Sequence, residues 1–187
     1  MLTLGSGTLS VAPWVAGVDP ANIAATYPTL YTIGEVGGDV ELNIEFQEAE
    51  FRGQSNFVIA RGYYGGNVTA AARSVELNFE NLARFFTVAK STQNAGTGNS
   101  NIISATHNVF TAEYDDKPSA IYVRFTHSRT DDPDKKVVVH LWKAFSTALN
   151  FPFMREDIST TDIDFNAIVD TTLTGGVDAI IRVEIEG

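Results

Sequence analysis

Three histidines, His107, His127 and His140, are the side chains best suited to hold a transition metal, because neutral imidazole is the commonest ligand for zinc and iron. They fall in separate stretches with no His-x-His or His-x-x-x-His spacing, and read as ordinary strand histidines. Asp131, Asp132 and Asp134 begin like a calcium loop. The glycine and closing glutamate of that pattern are missing, Lys135 and Lys136 follow, and a solvated turn fits better. Asp157, Asp162, Asp164 and Asp170 scatter without a spacing that pairs two carboxylates for acid–base work. Gly53-Gln54-Ser55-Asn56-Phe57 lacks the second glycine of a nucleophile elbow. Gly34, Gly37 and Gly38 lead into a strand rather than a helix, and no Walker-type lysine follows a glycine-rich stretch. There are 0 cysteines, which excludes thiolate nucleophiles, thiolate metal sites and disulfides. The residues therefore predict no catalytic group, no metal ligand set and no cofactor, and point to a non-enzymatic role.

Charge narrows the partners. Thirteen Lys and Arg against 23 Asp and Glu give a net charge of −10, a field that repels phosphate and argues against a surface built to grip nucleic acid. The first basic residue is Arg52; Asp19, Glu35, Asp39, Glu41, Glu45, Glu48 and Glu50 all precede it. With 187 residues and 44% apolar composition the chain is expected to form one domain, 1–187, with a sizeable core. No run approaches the roughly 20 apolar residues of a spanning helix, and the first residues lack the basic flank of a secretory signal. The expectation is a chain soluble as synthesised, with no membrane partner.

The elements that must position these residues are mostly strands. From Val40 the chain alternates, with Val40, Leu42, Ile44 and Phe46 on one face and Glu41, Asn43, Glu45 and Gln47 on the other. Gly37-Gly38 signals a turn before it. Phe57 to Ala60 supplies a hairpin partner, Tyr63-Tyr64-Gly65-Gly66-Asn67 breaks the pattern, and Val68 to Leu77 resumes as a strand. Asn78 fits an N-cap for a helix carrying Phe79, Leu82, Phe85, Phe86 and Ala89 on one face, opposite Glu80, Asn81, Arg84 and Lys90. Residues 91–101 read as a mobile polar loop. Further strands are expected at 102–114, 120–128, 137–145, 165–172 and 177–186. Val137 to Phe145 is apolar on both parities, as in a strand covered on both faces, with a buried helix as the alternative there. The fold class is mainly β, an antiparallel β-sandwich or barrel with one flanking α-helix.

The order of segments resembles the bacteriophage major tail tube proteins. The likeness begins at Ile33-Gly34-Glu35-Val36-Gly37-Gly38-Asp39-Val40-Glu41-Leu42. It runs through Phe51-Arg52-Gly53 and Val75-Glu76-Leu77-Asn78, and returns at Val138-Val139-His140-Leu141-Trp142-Lys143-Ala144-Phe145 and Phe165-Asn166-Ala167-Ile168-Val169-Asp170. The resemblance implies a tail-tube β-sandwich whose copies join in hexameric rings that stack into a conduit for the genome. It also implies a tail terminator, a tape measure and a baseplate or tip protein as partners, with DNA passing through the lumen without adhering. The protein would be made in the host cytoplasm and reside in the virion tail. Under that reading Glu41, Asn43, Glu45 and Gln47 are candidates to line the lumen. Trp14, Phe51, Arg52, Phe57, Tyr63 and Tyr64 are candidate subunit or ring contacts. Residues 1–30 become an N-terminal arm and 48–66 an extended hairpin loop. The alternatives are a capsid decoration or tail-tip protein, or a carbohydrate-binding β-sandwich stacking sugars on Trp14, Tyr63, Tyr64 and Trp142.

Overall fold

The computed structural model describes residues 2–52, 58–76, 89–93, 107–111, 118–129, 131–149, 160–175 and 179–187. In chain order they form β1 (Leu2–Leu4), β2 (Gly7–Pro13), α1 (Ile23–Thr26), β3 (Tyr31–Val36), β4 (Val40–Arg52), β5 (Val58–Glu76), β6 (Ala89–Gln93), β7 (His107–Thr111), β8 (Ile121–Ser128), β9 (Lys136–Leu149), β10 (Thr160–Ile168) and β11 (Ile181–Ile185). The fold is mainly β. Neighbours pair antiparallel in the order β5-β10-β9-β8-β2-β3, and Val36 of β3 meets Val75 of β5, which closes six strands into a barrel. Closure removes the open edges that a flat sheet of these strands would leave.

Alternation decides what fills the barrel. Leu9 and Val11, Val123 and Phe125, Val139 and Leu141, and Ile163 and Phe165 are buried together inside it. The opposite parity of β2, β8 and β9 is also apolar, and Ala12, Tyr122 and Trp142 form a second, outer core beneath Val18, Tyr27 and Leu173. Two covered faces account for the absence of alternation in β9.

Two irregularities shape the wall. β5 carries an extra residue between Val75 and Ala72 opposite β10, where Ser74 adopts φ 53°. The turn from β3 to β4 crosses this bulge, with Gly37 N donating to Ser74 O at 3.1 Å and Gly38 N to Arg73 O at 3.2 Å. A Cβ on Gly38 would stand 3.0 Å from the Arg73 carbonyl, so the glycine serves a close backbone approach. The second shift lies between Phe46↔Gly66 and Gln47↔Tyr64 and leaves Gly65 as the extra residue. The expected break at 63–67 is therefore corrected: the glycines mark a bulge inside one continuous 19-residue strand.

Other expectations also change. The helix after Asn78 falls on residues 78–88, outside the described residues, while Ala89 and Lys90 already belong to β6. Ser91 to Gln93, expected as loop, continue that strand in register with β7 from Ala89↔Thr111 to Gln93↔His107. A polar stretch can sit in such a ladder because backbone pairing needs no apolar face. Residues 1–30 contain β2, whose Leu9 and Val11 are core residues of this same chain, so 7–13 is barrel wall and not an arm that docks elsewhere.

Candidate functional surfaces: an acidic sheet face and a projecting hairpin

The β4–β5 ladder runs from Val40↔Ala72 to Arg52↔Val58 and outreaches the barrel, because β10 accompanies β5 only as far as Val68. Along the apolar parity of β4, Val40 and Leu42 are buried, whereas Ile44 is 45% and Phe46 69% exposed. The interior face of the barrel thus continues outward onto a surface where Ile44 and Phe46 are left exposed among the described residues. Phe46 lies beside Gly66, at which an added Cβ would also meet Ile180 Cδ1 at 3.3 Å. The 48–66 segment forms the outer part of this ladder. Phe51 and Arg52 stand opposite Ala60 and Val58, and Tyr63 and Tyr64 opposite Glu48 and Gln47; Phe57 lies outside the described residues.

The other face of the same ladder is polar. Registers place Glu41, Ala71 and Asp164 in one row and Asn43, Thr69 and Asn166 in the next, with Glu45 opposite Asn67. These rows border a shallow depression of about 540 Å³ floored by Thr69 and Ala71. Among the described residues Arg73 is its one cation, 3.9 Å from Glu41, 3.5 Å from Asp162 and 3.4 Å from Asp164. All four groups are about half exposed, so each pair contributes little to stability. Asn43 Nδ2 donates to Glu45 Oε1 at 2.8 Å. The structure therefore brings Glu41, Asn43 and Glu45 onto one surface with Asp162, Asp164 and Arg73, which are distant from them in sequence. The alternation of β10, with Thr161, Ile163, Phe165 and Ala167 inward and Asp162, Asp164 and Asn166 outward, was the available signal.

Trp14 is engaged within the chain. Its Nε1–H donates to Asp170 Oδ2 at 2.8 Å, and Lys143 Nζ lies 4.1 Å from its ring centroid. Asp170, only 1% exposed, also accepts from the backbone N–H and hydroxyl of Thr172 at 2.9 and 2.7 Å. Burial pushes its carboxyl up, but the bonds from Thr172 and Trp14 outweigh burial and hold it below the usual carboxylate range. This carboxylate staples the segment after β2 to the segment after β10.

His127 and His140 have separate surroundings, and the His107 side chain lies outside what is described. His127 Nδ1 lies 2.6 Å from Ser6 O. His140 is 4% exposed, stacked on Trp142 at 5.8 Å, with Nδ1 2.5 Å from the Tyr122 hydroxyl. Burial pulls the His140 imidazole below its ordinary pKa against the opposing pull of Glu184, and burial pushes the Tyr122 phenol up. Trp142, 1% exposed beneath Tyr122 and His140, offers no platform to a sugar. Among the described residues no three His, Asp or Glu side chains gather as metal ligands.

No protein-family model matches the chain, and no curated protein matches it in sequence. Among solved structures, the crystal structure of an Hcp protein aligns over 95% of this chain and 98% of that chain, at 9% identity and a TM-score of 0.30. A superposition that loose carries no argument about what this chain does.

Proposed function

We propose that this chain is a structural protein whose copies associate through the projecting β4–β5 hairpin into rings that stack as a tube, in the manner of the phage tail tube proteins its sequence resembles. The observation that carries the reading is the exposed continuation of the core: Ile44 and Phe46 follow Val40 and Leu42 on one strand face, yet stand in solvent. A contiguous apolar face with a polar reverse is what an obligate contact between copies would cover. The reverse face, with Glu41, Glu45, Asp162 and Asp164 around Arg73, suits the wall of a bore. A passing polyanion is repelled there rather than held. On this reading the bore conducts the genome in a virion tail, and the terminator, tape measure and baseplate or tip components would cap and fill it. Negative-stain electron microscopy of concentrated protein, with light scattering for mass, tests the proposal. Stacked rings or tubes are expected; a preparation that stays at the 20.3 kDa monomer mass at every concentration contradicts it.

A further inference from the structure

Alternation puts Arg124 of β8 and His140 of β9 on the outer faces of their strands, on the parity opposite to the core residues Val123 and Leu141. Over them a cleft of about 640 Å³ opens against the α1 segment. Ile23, Tyr27 and Leu30 give it an apolar wall, and Arg124, His140 and Lys136 a polar one. Arg124 and His140 are register partners in the β8–β9 ladder, so their side chains stand next to each other. Each holds a buried nitrogen without a hydrogen-bond partner, Nε of Arg124 and Nε2 of His140. The neighbours fix the state of the second. Tyr122 has no exposed surface, and burial pushes its phenol up, so its hydroxyl stays protonated and donates to His140 Nδ1 at 2.5 Å. Burial also keeps the ring neutral, and its proton therefore sits on Nε2. Two adjacent N–H donors thus lack an acceptor. Glu184 does not supply one: its Oε1 lies 3.6 Å from Nε2, too far for a hydrogen bond, and is held at 2.9 Å by Arg182 Nε. Among the described residues neither Arg124 nor Lys136 has a carboxylate within ion-pair distance, whereas Arg73, Arg129, Lys135 and Arg182 each do.

We propose that this cleft binds a small organic carboxylate, its charged end held by Arg124 and the His140 Nε2–H and its hydrocarbon body laid against Ile23, Tyr27 and Leu30. The planar guanidinium fork matches the geometry of a carboxylate. Two donors that are buried and unpaired in the empty cleft gain an acceptor in the complex, which makes binding there more favourable than at donors already satisfied by water. A phosphate dianion fits less well, because Glu184 borders the cleft and the whole chain carries −10, so each further negative charge is penalised. A bare inorganic anion would also leave the apolar wall unused. Lys136 lies four residues from His140 along β9, about 13 Å at the rise of a strand, so its role is to attract the anion rather than to share its oxygens. The volume of about 640 Å³ falls within the range of small-molecule sites. The inference stands apart from the tube reading, which uses other faces of the barrel.

Isothermal titration calorimetry of the full chain with phenylacetate tests it, with phenylacetamide and inorganic phosphate as controls. One-to-one binding of phenylacetate is expected, about tenfold or more tighter than either control. Arg124→Gln should weaken it by about tenfold or more. Lys136→Gln should weaken it by about two- to threefold, a difference that disappears at high salt. Thr126 lines the cleft two residues from Arg124 on the same strand face. Thr126→Glu therefore sets a carboxylate of the chain's own beside the guanidinium and should block the site; it serves if circular dichroism shows that Arg124→Gln does not fold. No saturable binding of phenylacetate, an amide that binds as well as the acid, or folded Arg124→Gln or Thr126→Glu protein that binds as the parent does overturns the assignment. Binding that fades as protein concentration rises gives the cleft to a carboxylate of a second copy and overturns it as a site for a free ligand.

Discussion

The two ends of β4 carry the same pattern and meet opposite fates. At the inner end Val40 and Leu42 point into a closed barrel and are sealed by strands from across the chain. Two and four residues further on, Ile44 and Phe46 occupy the same parity, but Ile44 stands at the last row β10 shares with β5, Ala167↔Val68, and Phe46 lies beyond it, where the barrel wall has ended. Period two tells which residues share a face; it does not tell what covers that face. The inner end belongs to the fold and the outer end to whatever the fold meets, so substitutions at the two ends should separate stability from association.

The largest contrast is between Phe125 and Phe46. Phe125→Ala in the barrel is expected to lower unfolding free energy by about 3–5 kcal/mol in denaturant titration. Phe46→Ser should change it by less than about 0.5 kcal/mol, because little apolar surface is lost from the monomer. Equal losses at both sites would erase the distinction. Next in size is the Asp170 staple. Asp170→Asn keeps one acceptor oxygen but turns an amide group toward the Thr172 or Trp14 donors, and a loss of about 1–3 kcal/mol is expected. Because the folded carboxyl titrates below its unfolded value, its contribution is present above about pH 4 and is lost as pH falls further.

His140 gives a smaller effect at milder pH. Its folded pKa is depressed, so below about pH 6.5 the unfolded chain takes up a proton that the buried ring refuses. Stability should therefore decline from pH 7.5 to pH 5.5, and His140→Gln should flatten that slope. An unchanged slope would assign it to other groups. The smallest effect on stability belongs to the acidic face. Glu41→Lys with Glu45→Lys should leave unfolding within about 0.5 kcal/mol of the parent, yet create salt-sensitive retention of duplex DNA in a gel-shift assay. Indifference to DNA in both proteins would detach this face from any polyanion.

The mainly β class and the alternating strands were legible because alternation is local. Closure was not, since Val36 meeting Val75 depends on a bulge at Ser74 that no propensity announces. The glycines at 65 and 66 read as a strand end because glycine usually punctuates; here Gly65 is the extra residue of a bulge. Residues 1–30 read as an arm because the segment is polar and carries Pro13-Trp14 and Pro20, yet Leu9 and Val11 of β2 find partners on β8 that lie more than a hundred residues later. Among the candidate residues, Glu41, Asn43 and Glu45 could be placed on one face from the sequence. Their neighbours Asp162, Asp164 and Arg73 arrive by long-range register, which one chain's spacing does not encode.

The central claim is that a second copy covers the outer apolar face of β4. Sedimentation velocity over a concentration series, run on the parent and on Phe46→Asp, tests it most directly. The account predicts that the parent shifts to multimers as concentration rises while the variant, equally folded, stays at the mass of one chain. A parent that remains monomeric throughout, or a variant that associates just as well, would contradict it.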